Sequence, residues 1–450
     1  MGQHASERAN WRALLNPYFL QVFGICLLGW TLANMDQAFF GYAIPPIKET
    51  FAIGDQQIGY ILSGSFLAAA FFIVVAGLLT DRYGRRAMFC VFLALSALMV
   101  GLFSLAETLA MLIFLRLAGW CLCAGMVPIV NSYVVETSPA RFRGFNAGIL
   151  QIGYPLGWFI GGLLAVELMG NPAIGRAVGG FLESLGLIFA EAVQGAGSWR
   201  LLFMVAFLVI PIAAVLYWCI PESRRFLAEK EAQEAAPEAG MTARGRIALL
   251  LSRQYIRRVS LGWIASLTFG GAYAGTAFFF PTFFHEVRGH TLEEANLIVG
   301  VSYGIGAIGY IASSAVGEFV TTRRNTVAIW VFIAIPIAAA VFWLDLGLGA
   351  DIGLMAAMTF FFYGTIAVLQ TYLAEVFPTR VRATAVAFVA GIGINVGFAV
   401  YPLLVGALVG RIGWQWAFTV TVLPSLLLTG LSTLMQINVR SGERLEDISA

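Results

Sequence analysis

Two ionisable residues stand inside long apolar runs where charge is costly. Asp36 lies in the run that begins near residue 17, and Arg116 in the run that begins near residue 109. Ionisable side chains within membrane-length segments are rare and mark ion or substrate pathways. Asp36 is about nine residues from the outer end of its run and Arg116 about seven from the outer end of its own, so at about 1.5 Å of rise per residue both sit roughly 10–14 Å deep. An acid and a guanidinium at one depth can pair. Burial favours the protonated acid, whereas a nearby guanidinium favours the carboxylate. A pair that forms in one conformation and breaks in another therefore releases and takes up a proton. Asp36 and Arg116 are candidates for such a pair; the alternative is a static ion pair tying two helices together.

A second set of residues could line a central cavity. Asn34, Gln37, Asn131, Gln151, Tyr154, Tyr273, Gln370 and Asn395 are the expected substrate-binding groups, with Tyr133, Thr268 and Tyr363 as further polar positions. Trp158 and the run Phe278 to Phe280 would add apolar walls. Uncharged hydrogen-bonding groups among aromatics suit a hydroxylated or amphipathic small molecule. Each such residue serves equally well as hydrogen bonding between helices. Enzyme chemistry is not in view. The histidines His4, His285 and His290 lie at or outside the ends of the apolar runs, with no Ser/His/Asp set and no metal-ligand cluster beside them. The glycine loop G-x-x-x-x-G-K that cradles phosphates is absent from the sequence,. The expectation is therefore no cofactor, no metal and no ATP, with a proton gradient as the energy source. The five cysteines fall in or beside apolar runs, where a thiol is ordinarily a small packing residue.

The elements that must hold these groups follow from composition. The 450 residues are 59% hydrophobic and 12% charged, whereas soluble domains are about one quarter charged. Such a chain needs lipid as its main solvent. A spanning helix takes about 20 apolar residues, and runs of that length lie near 17–46, 57–79, 87–107, 109–135, 144–169, 200–220, 258–284, 293–316, 326–344, 353–374, 383–409 and 414–437. The predicted fold is an all-α membrane protein of twelve transmembrane helices, arranged as two six-helix bundles with pseudo-two-fold symmetry. A charged stretch divides it, giving an N-terminal bundle (1–220), a cytoplasmic linker with amphipathic helical pieces (221–257) and a C-terminal bundle with a short tail (258–450). Placing both termini in the cytoplasm puts roughly four Lys or Arg on that side for each one outside, as the positive-inside rule requires,. The outer segment 170–199 carries an amphipathic run from Phe181 to Val193, read as a short surface helix or a lid.

An internal repeat marks the same point in each half. Glu136-x-x-Pro139-x-Arg141-x-Arg143 follows the fourth run, and Glu375-x-x-Pro378-x-Arg380-x-Arg382 follows the tenth at identical spacing. Parallel repeats of this kind belong to transporters. The loop after the second run reads GLLTDRYGRR, with Gly77, Asp81, Arg82, Gly84, Arg85 and Arg86. These residues resemble the major facilitator superfamily, whose signature there is G-x-x-x-D-R-x-G-R-R. The run Pro221 to Leu227 (PESRRFL) and Arg143-Gly144 followed by Gln151 are similar to the sugar-porter branch. In proton-coupled sugar porters an acid on the first helix and an arginine on the fourth act as a couple, and the resemblance gives that role to Asp36 and Arg116.

The resemblance also has edges. The seventh run, LTFGGAYAGTAFFFPTFF, lacks the paired glutamines of sugar porters. Its FFFPTFF end and AEVFPTRVRAT are similar to the aromatic-acid and metabolite:proton symporter branches. Those branches often carry an arginine seven residues before a proline of the eleventh helix, where Asn395 precedes Pro402 here. A simple hexose and a carboxylate anchored by that arginine are both disfavoured. The acids Asp81, Glu136, Glu222 and Glu375 and the bases Arg82, Arg85, Arg86, Arg141, Arg143, Arg380 and Arg382 form an expected cytoplasmic gate that pairs when the two halves close. Exposed pairs contribute about 0–1 kcal/mol each, so a network biases the equilibrium and no single pair locks it.

The expected function is proton-coupled symport of a small organic metabolite (sugar-like, a polyol or an organic acid) by alternating access. The alternatives are an efflux antiporter, an uncoupled facilitator and, from another class, a transporter-like nutrient sensor. Expected partners are the substrate, protons and the lipid of a bacterial inner membrane, with no nucleic acid and a monomeric state.

Overall fold

The computed structural model describes residues 16–139, 142–184, 199–223, 243–377 and 384–438. Every regular element among them is helical. The first bundle comprises α1 (Pro17–Tyr42), α2 (Asp55–Tyr83), α3 (Arg85–Phe103), α4 (Leu109–Thr137), α5 (Arg143–Gly170) and α6 (Trp199–Cys219). The second comprises α7 (Ile256–Ala277), α8 (Leu292–Val320), α9 (Arg323–Trp343), α10 (Leu348–Glu375), and then α11 and α12 within Val386–Leu434. Ten of the described helical stretches are long and apolar enough to cross a membrane. The last of these is two helices, because Gly413 has φ 77° and ψ 166°, a conformation that only glycine adopts without strain. With α7, whose Gly, Ser and Thr residues make it less apolar, the described membrane helices number twelve.

Backbone N–H groups at helix starts explain several boundaries, since the first four have no partner within the helix. Asn16 Oδ1 accepts from the Tyr18 N–H at 3.0 Å ahead of α1. Thr108 caps α4 through the Met111 N–H, and Thr291 with Glu294 forms a reciprocal capping box on α8,. Short extra helices lie outside the spans at Ile44–Phe51, Pro172–Ser184 and Ala243–Leu250. The short helix of the 170–199 segment thus begins ahead of the expected amphipathic run and overlaps only its first residues, 181–184, while 185–198 lie outside the described residues. Residues 224–242 of the expected linker do so as well.

Several membrane helices are interrupted. α5 breaks at Gln151 and Ile152, between Arg143–Leu150 and Gly153–Gly170. α7 ends at Ala277 and resumes as Phe280–Glu286, where Pro281 has no N–H to offer the preceding turn,. α10 widens into a π-helical turn at Thr359–Tyr363 and α11 begins with one at Val386–Ile392. Such turns inside helices recur at functional sites.

The first six helices meet the last six through α2 against α11 and α5 against α8. At the α5–α8 crossing a Cβ on Gly162 would lie 2.6 Å from the Gly300 Cα, so glycine is what allows the two backbones to touch. Contacts between the two sets close both ends of the molecule. At the end that carries Lys48, the Lys48 ammonium binds Asp55 Oδ1 and Glu286 Oε1, each at 2.6 Å. At the end that carries Glu375, Phe145 packs edge-on against Phe319 with ring centroids 5.6 Å apart. A Cβ on Gly148 there would meet Ser314 Oγ at 2.5 Å.

Candidate functional site

The interruptions of α5, α7 and α10 surround one cluster of rings at the centre. Tyr154 and Trp158 come from α5, Tyr273 from α7, Tyr303 from α8 and Tyr363 from the π turn of α10. Ring contacts run from Tyr154 to Trp158 (6.1 Å), Tyr303 (4.8 Å), Tyr363 (5.4 Å), Tyr273 (4.1 Å) and back to Tyr154 (5.5 Å). The circuit crosses between the two sets of helices twice. Phe278, at the break in α7, extends it by packing on Trp158, Trp120 and Phe66. Aromatic pairs at these distances contribute about 0.5–1.5 kcal/mol each beyond area burial. Hydroxyls are set into the ring wall. Tyr363 Oη and Thr276 Oγ1 are 2.8 Å apart, and Tyr273 Oη and Tyr310 Oη 3.2 Å. Tyr303 Oη is buried and has no hydrogen-bond partner.

Arg116 stands against this enclosure. Its guanidinium lies 4.4 Å from the Phe40 ring centroid, 5.1 Å from Trp120 and 5.6 Å from Phe278. Nη1 donates to Gln37 Oε1 at 2.8 Å, while Nε and Nη2 are buried without partners. Asp36 is 1% exposed and neither of its carboxyl oxygens has a partner. The expected Asp36–Arg116 pair is therefore not formed in this conformation. The Gln37 amide takes the place of the carboxylate on Arg116, because Gln37 turns toward α4 and also donates to the Gly119 carbonyl at 3.4 Å. Depth was legible in the sequence, but rotation about the helix axis was not. Asp36, Gln37 and Arg116 share a cavity of about 10 Å³ with Val100, Phe103, Leu115 and Phe203. That is room for about one water molecule.

Other expected binding residues disperse. Asn34, Asn131 and Asn395 donate to carbonyls one turn back on their own helices, Trp30, Val127 and Gly391. That bond satisfies the amide locally, so in this conformation they are helix residues rather than cavity donors. Gln151 reaches Asn131 at 3.4 Å, and Gln370 is half-buried on α10. Of the eight expected substrate groups, Tyr154 and Tyr273 meet in the central ring circuit and Gln37 meets Arg116. Tyr303 and Tyr310 went unnoticed. They are seven residues apart on α8, two helical turns and hence one face, which is the signal that could have found them.

Among the described residues the ion pairs of the expected gate residues each lie on one side of the division between the two halves. Arg85 Nη2 reaches Glu136 Oε1 at 3.4 Å, and Ser223 Oγ binds Glu136 Oε2. Glu222 accepts from the Arg85 and Arg86 backbone N–H groups, and Arg86 Nε donates to the Tyr217 carbonyl at 2.9 Å. All of these join the first bundle to itself or to the first residues of the linker, Glu222 and Ser223. In the second, Arg323 binds both Glu318 and Glu375. Arg85 opens α3 and pairs with the last turn of α4; Arg323 opens α9 and pairs with the last residue of α10. Among the described residues the repeat is thus realised as two equivalent clamps, one in each half, and Phe145 packs on Phe319 between the halves at this end. Glu318 and Arg323 were missed because the α8–α9 loop lacks the signature aspartate. Arg82 and Arg143 are exposed. Arg141, Arg380 and Arg382 lie outside the described residues, as does the Asp81 side chain.

At the Lys48 end, burial opposes the Lys48 charge, but the hydrogen bonds to Asp55 and Glu286 outweigh it and hold its pKa above the ordinary lysine value,. Among the described residues no group of three His, Cys, Asp or Glu side chains could hold a metal ion.

Comparison with known proteins agrees with this architecture. Residues 26–390 match the family model of the Major Facilitator Superfamily. The chain is 27% identical to the 4-hydroxybenzoate transporter PcaK of Pseudomonas aeruginosa, covering 94% of this chain and 95% of that one. It is 22% identical to the niacin transporter NiaP of Acinetobacter baylyi, covering 94% of each. Its fold matches the crystal structure of a bacterial homolog of the human lysosomal transporter Spinster in an inward-facing, occupied conformation. That match has a TM-score of 0.67 at 20% identity, over 93% of this chain and 95% of that one. The chain is a multi-pass membrane transporter, not an enzyme, and it belongs to the Major Facilitator Superfamily.

Proposed function

We propose that the protein is a proton-coupled symporter for a small aromatic monocarboxylate. The observation that carries this reading is the ring circuit with the unsatisfied Arg116 guanidinium beside it. A flat ring can replace the ring–ring contacts of the circuit, and Nε and Nη2 of Arg116 offer a carboxylate the parallel donors it prefers. Of the classes expected from the sequence (sugar-like, polyol or organic acid), this keeps the organic acid, since ring faces outnumber hydroxyl donors in the enclosure. The relatives' aromatic acids, 4-hydroxybenzoate and niacin, favour the same class.

Coupling follows from competition for one cation. While the substrate carboxylate occupies Arg116, Asp36 must remain buried without it, and a proton removes the cost of an unpaired buried carboxylate. When the substrate leaves, Arg116 can turn to Asp36 and the proton is released. One anion and one proton carry no net charge. Uptake is then driven by the pH difference, tenfold for each unit, and not by membrane potential. In this reading the bundles 1–220 and 258–450 rock about the linker 221–257, both termini are cytoplasmic, and a monomer in a bacterial inner membrane needs no cofactor beyond the proton gradient.

The test is uptake into proteoliposomes with 4-hydroxybenzoate, nicotinate, glucose and a polyol, under imposed pH or potassium-diffusion gradients. The expected result is accumulation of the aromatic acids with an inward proton gradient, no response to potential, and exchange without net uptake in Asp36→Asn. Transport of glucose in preference to the acids would overturn the substrate class. Substrate entry with no proton movement would make the protein an uncoupled facilitator.

A further inference from the structure

Gln37 occupies a position that the symport reading does not explain. It follows Asp36 in the chain, is 1% exposed, and supplies the single polar side-chain atom bonded to Arg116 among the described residues. Its amide is held at the other end by the Gly119 carbonyl, one turn below Arg116 on α4. The assignment of Oε1 toward Arg116 follows from that network, because only the oxygen can accept from a guanidinium.

An amide has the size and shape of a carboxylate without its charge. A guanidinium held at one nitrogen by an amide is satisfied only in part, and is released more easily than one held by a buried carboxylate, where removing a partner strands a charge,. A two-state switch needs such a small difference between its states. The titratable groups that face Asp36 and Arg116 are Cys123 on α4 and Tyr154 on α5, while α3 and α6 present Val100, Phe103 and Phe203. Among the described residues no second acid lines this cavity to compete with Asp36 for the arginine.

We propose that Gln37 is the neutral acceptor that parks Arg116 away from Asp36 while Asp36 carries its proton, making it a positioning residue for proton coupling. The inference rests on the symport reading above. It makes the identity of residue 37 a control on when Asp36 may release its proton. A carboxylate at this place would hold Arg116 permanently. An apolar side chain of equal length would leave Arg116 only Asp36 to turn to.

The test uses the full chain in lipid and needs no substrate. Infrared difference spectra are recorded across pH, and the protonated carboxyl band of Asp36 is identified by its loss in Asp36→Asn. Gln37→Met should move the pH at which that band disappears about one unit lower, a tenfold change in proton affinity. Gln37→Glu, compared with Gln37→Glu/Asp36→Asn to subtract the new carboxyl, should move it at least one unit higher. Thermal unfolding of each variant checks that it is folded. Identical band profiles in wild type, Gln37→Met and Gln37→Glu would overturn the role of Gln37 and leave symport standing. If Asp36→Asn removes no protonated carboxyl band at any pH, Asp36 never carries the proton, and the symport reading falls together with this inference.

Discussion

Replacing Lys48 with methionine keeps the side-chain stem and removes the charge that links the two bundles at one end. Lys48 contacts Asp55 on α2 and Glu286 beyond the break in α7, each at 2.6 Å. The side chains are 15%, 19% and 34% exposed, so water screens the pairs in part. Two such pairs contribute about 1–2 kcal/mol together. Only Glu286 lies across the bundle interface, but loss of the lysine also leaves two carboxylates facing each other there. The ratio of closed to open molecules at this end should therefore fall about 5- to 30-fold. Because the two acids raise the lysine's pKa, the latch holds its full strength below the ordinary lysine pKa of about 10.4 and is lost only as pH rises through the higher folded value. The opening caused by Lys48→Met should then be constant between pH 6 and about 9, unlike any change at Asp36. Spin labels at Glu49 and Leu346, both exposed near this end, report it as a longer inter-label distance. Glu286→Gln should reproduce most of the effect, and the double variant should add little to either single one. Unchanged distance distributions in all three variants would refute the reasoning, leaving closure of this end to packing alone.

Two further outcomes follow from the same geometry. Tyr303→Phe removes a buried hydroxyl that has no partner. Its melting temperature should hold or rise, while binding of a ring-hydroxylated acid weakens about 3- to 10-fold relative to the unsubstituted acid, the value of one neutral hydrogen bond. Competition assays and thermal unfolding check both parts. Gly162→Ala places a methyl 2.6 Å from the Gly300 Cα and 2.9 Å from Tyr42 Oη. It should cost the closed arrangement about 1–3 kcal/mol by overpacking, read as slower uptake and as opening between the Glu49 and Leu346 labels.

Particular residues show where the sequence could be read and where it could not. The twelve spans follow from apolar length, and the Glu136 and Glu375 repeats place equivalent clamps at equivalent helix ends. Asp36 and Arg116 were recognisable because charge inside an apolar run is conspicuous at any rotation of the helix. Their partners were not. Whether Asp36 or Gln37 meets Arg116 depends on about 100° of turn between adjacent residues, and on how α1 rolls against α4. The cavity asparagines were misplaced for a related reason. An amide in a helix can satisfy itself on the carbonyl one turn back, and only packing decides whether it does.

By itself the sequence determined what is local or compositional: lipid as the solvent, the approximate extent of the spans, and the duplicated Glu-x-x-Pro-x-Arg-x-Arg. Tertiary structure decided what joins residues far apart in the chain. Lys48 finds Glu286 across 238 positions, Tyr154 finds Tyr273, and Arg323 finds Glu375 across 52. Periodicity along one helix records which face is apolar, but inside a bundle nearly every face is apolar, and so the pattern carries little information about which neighbour each face meets. That choice is made by shape, where glycines let α5 touch α8, and by the few polar groups that must find one another away from water.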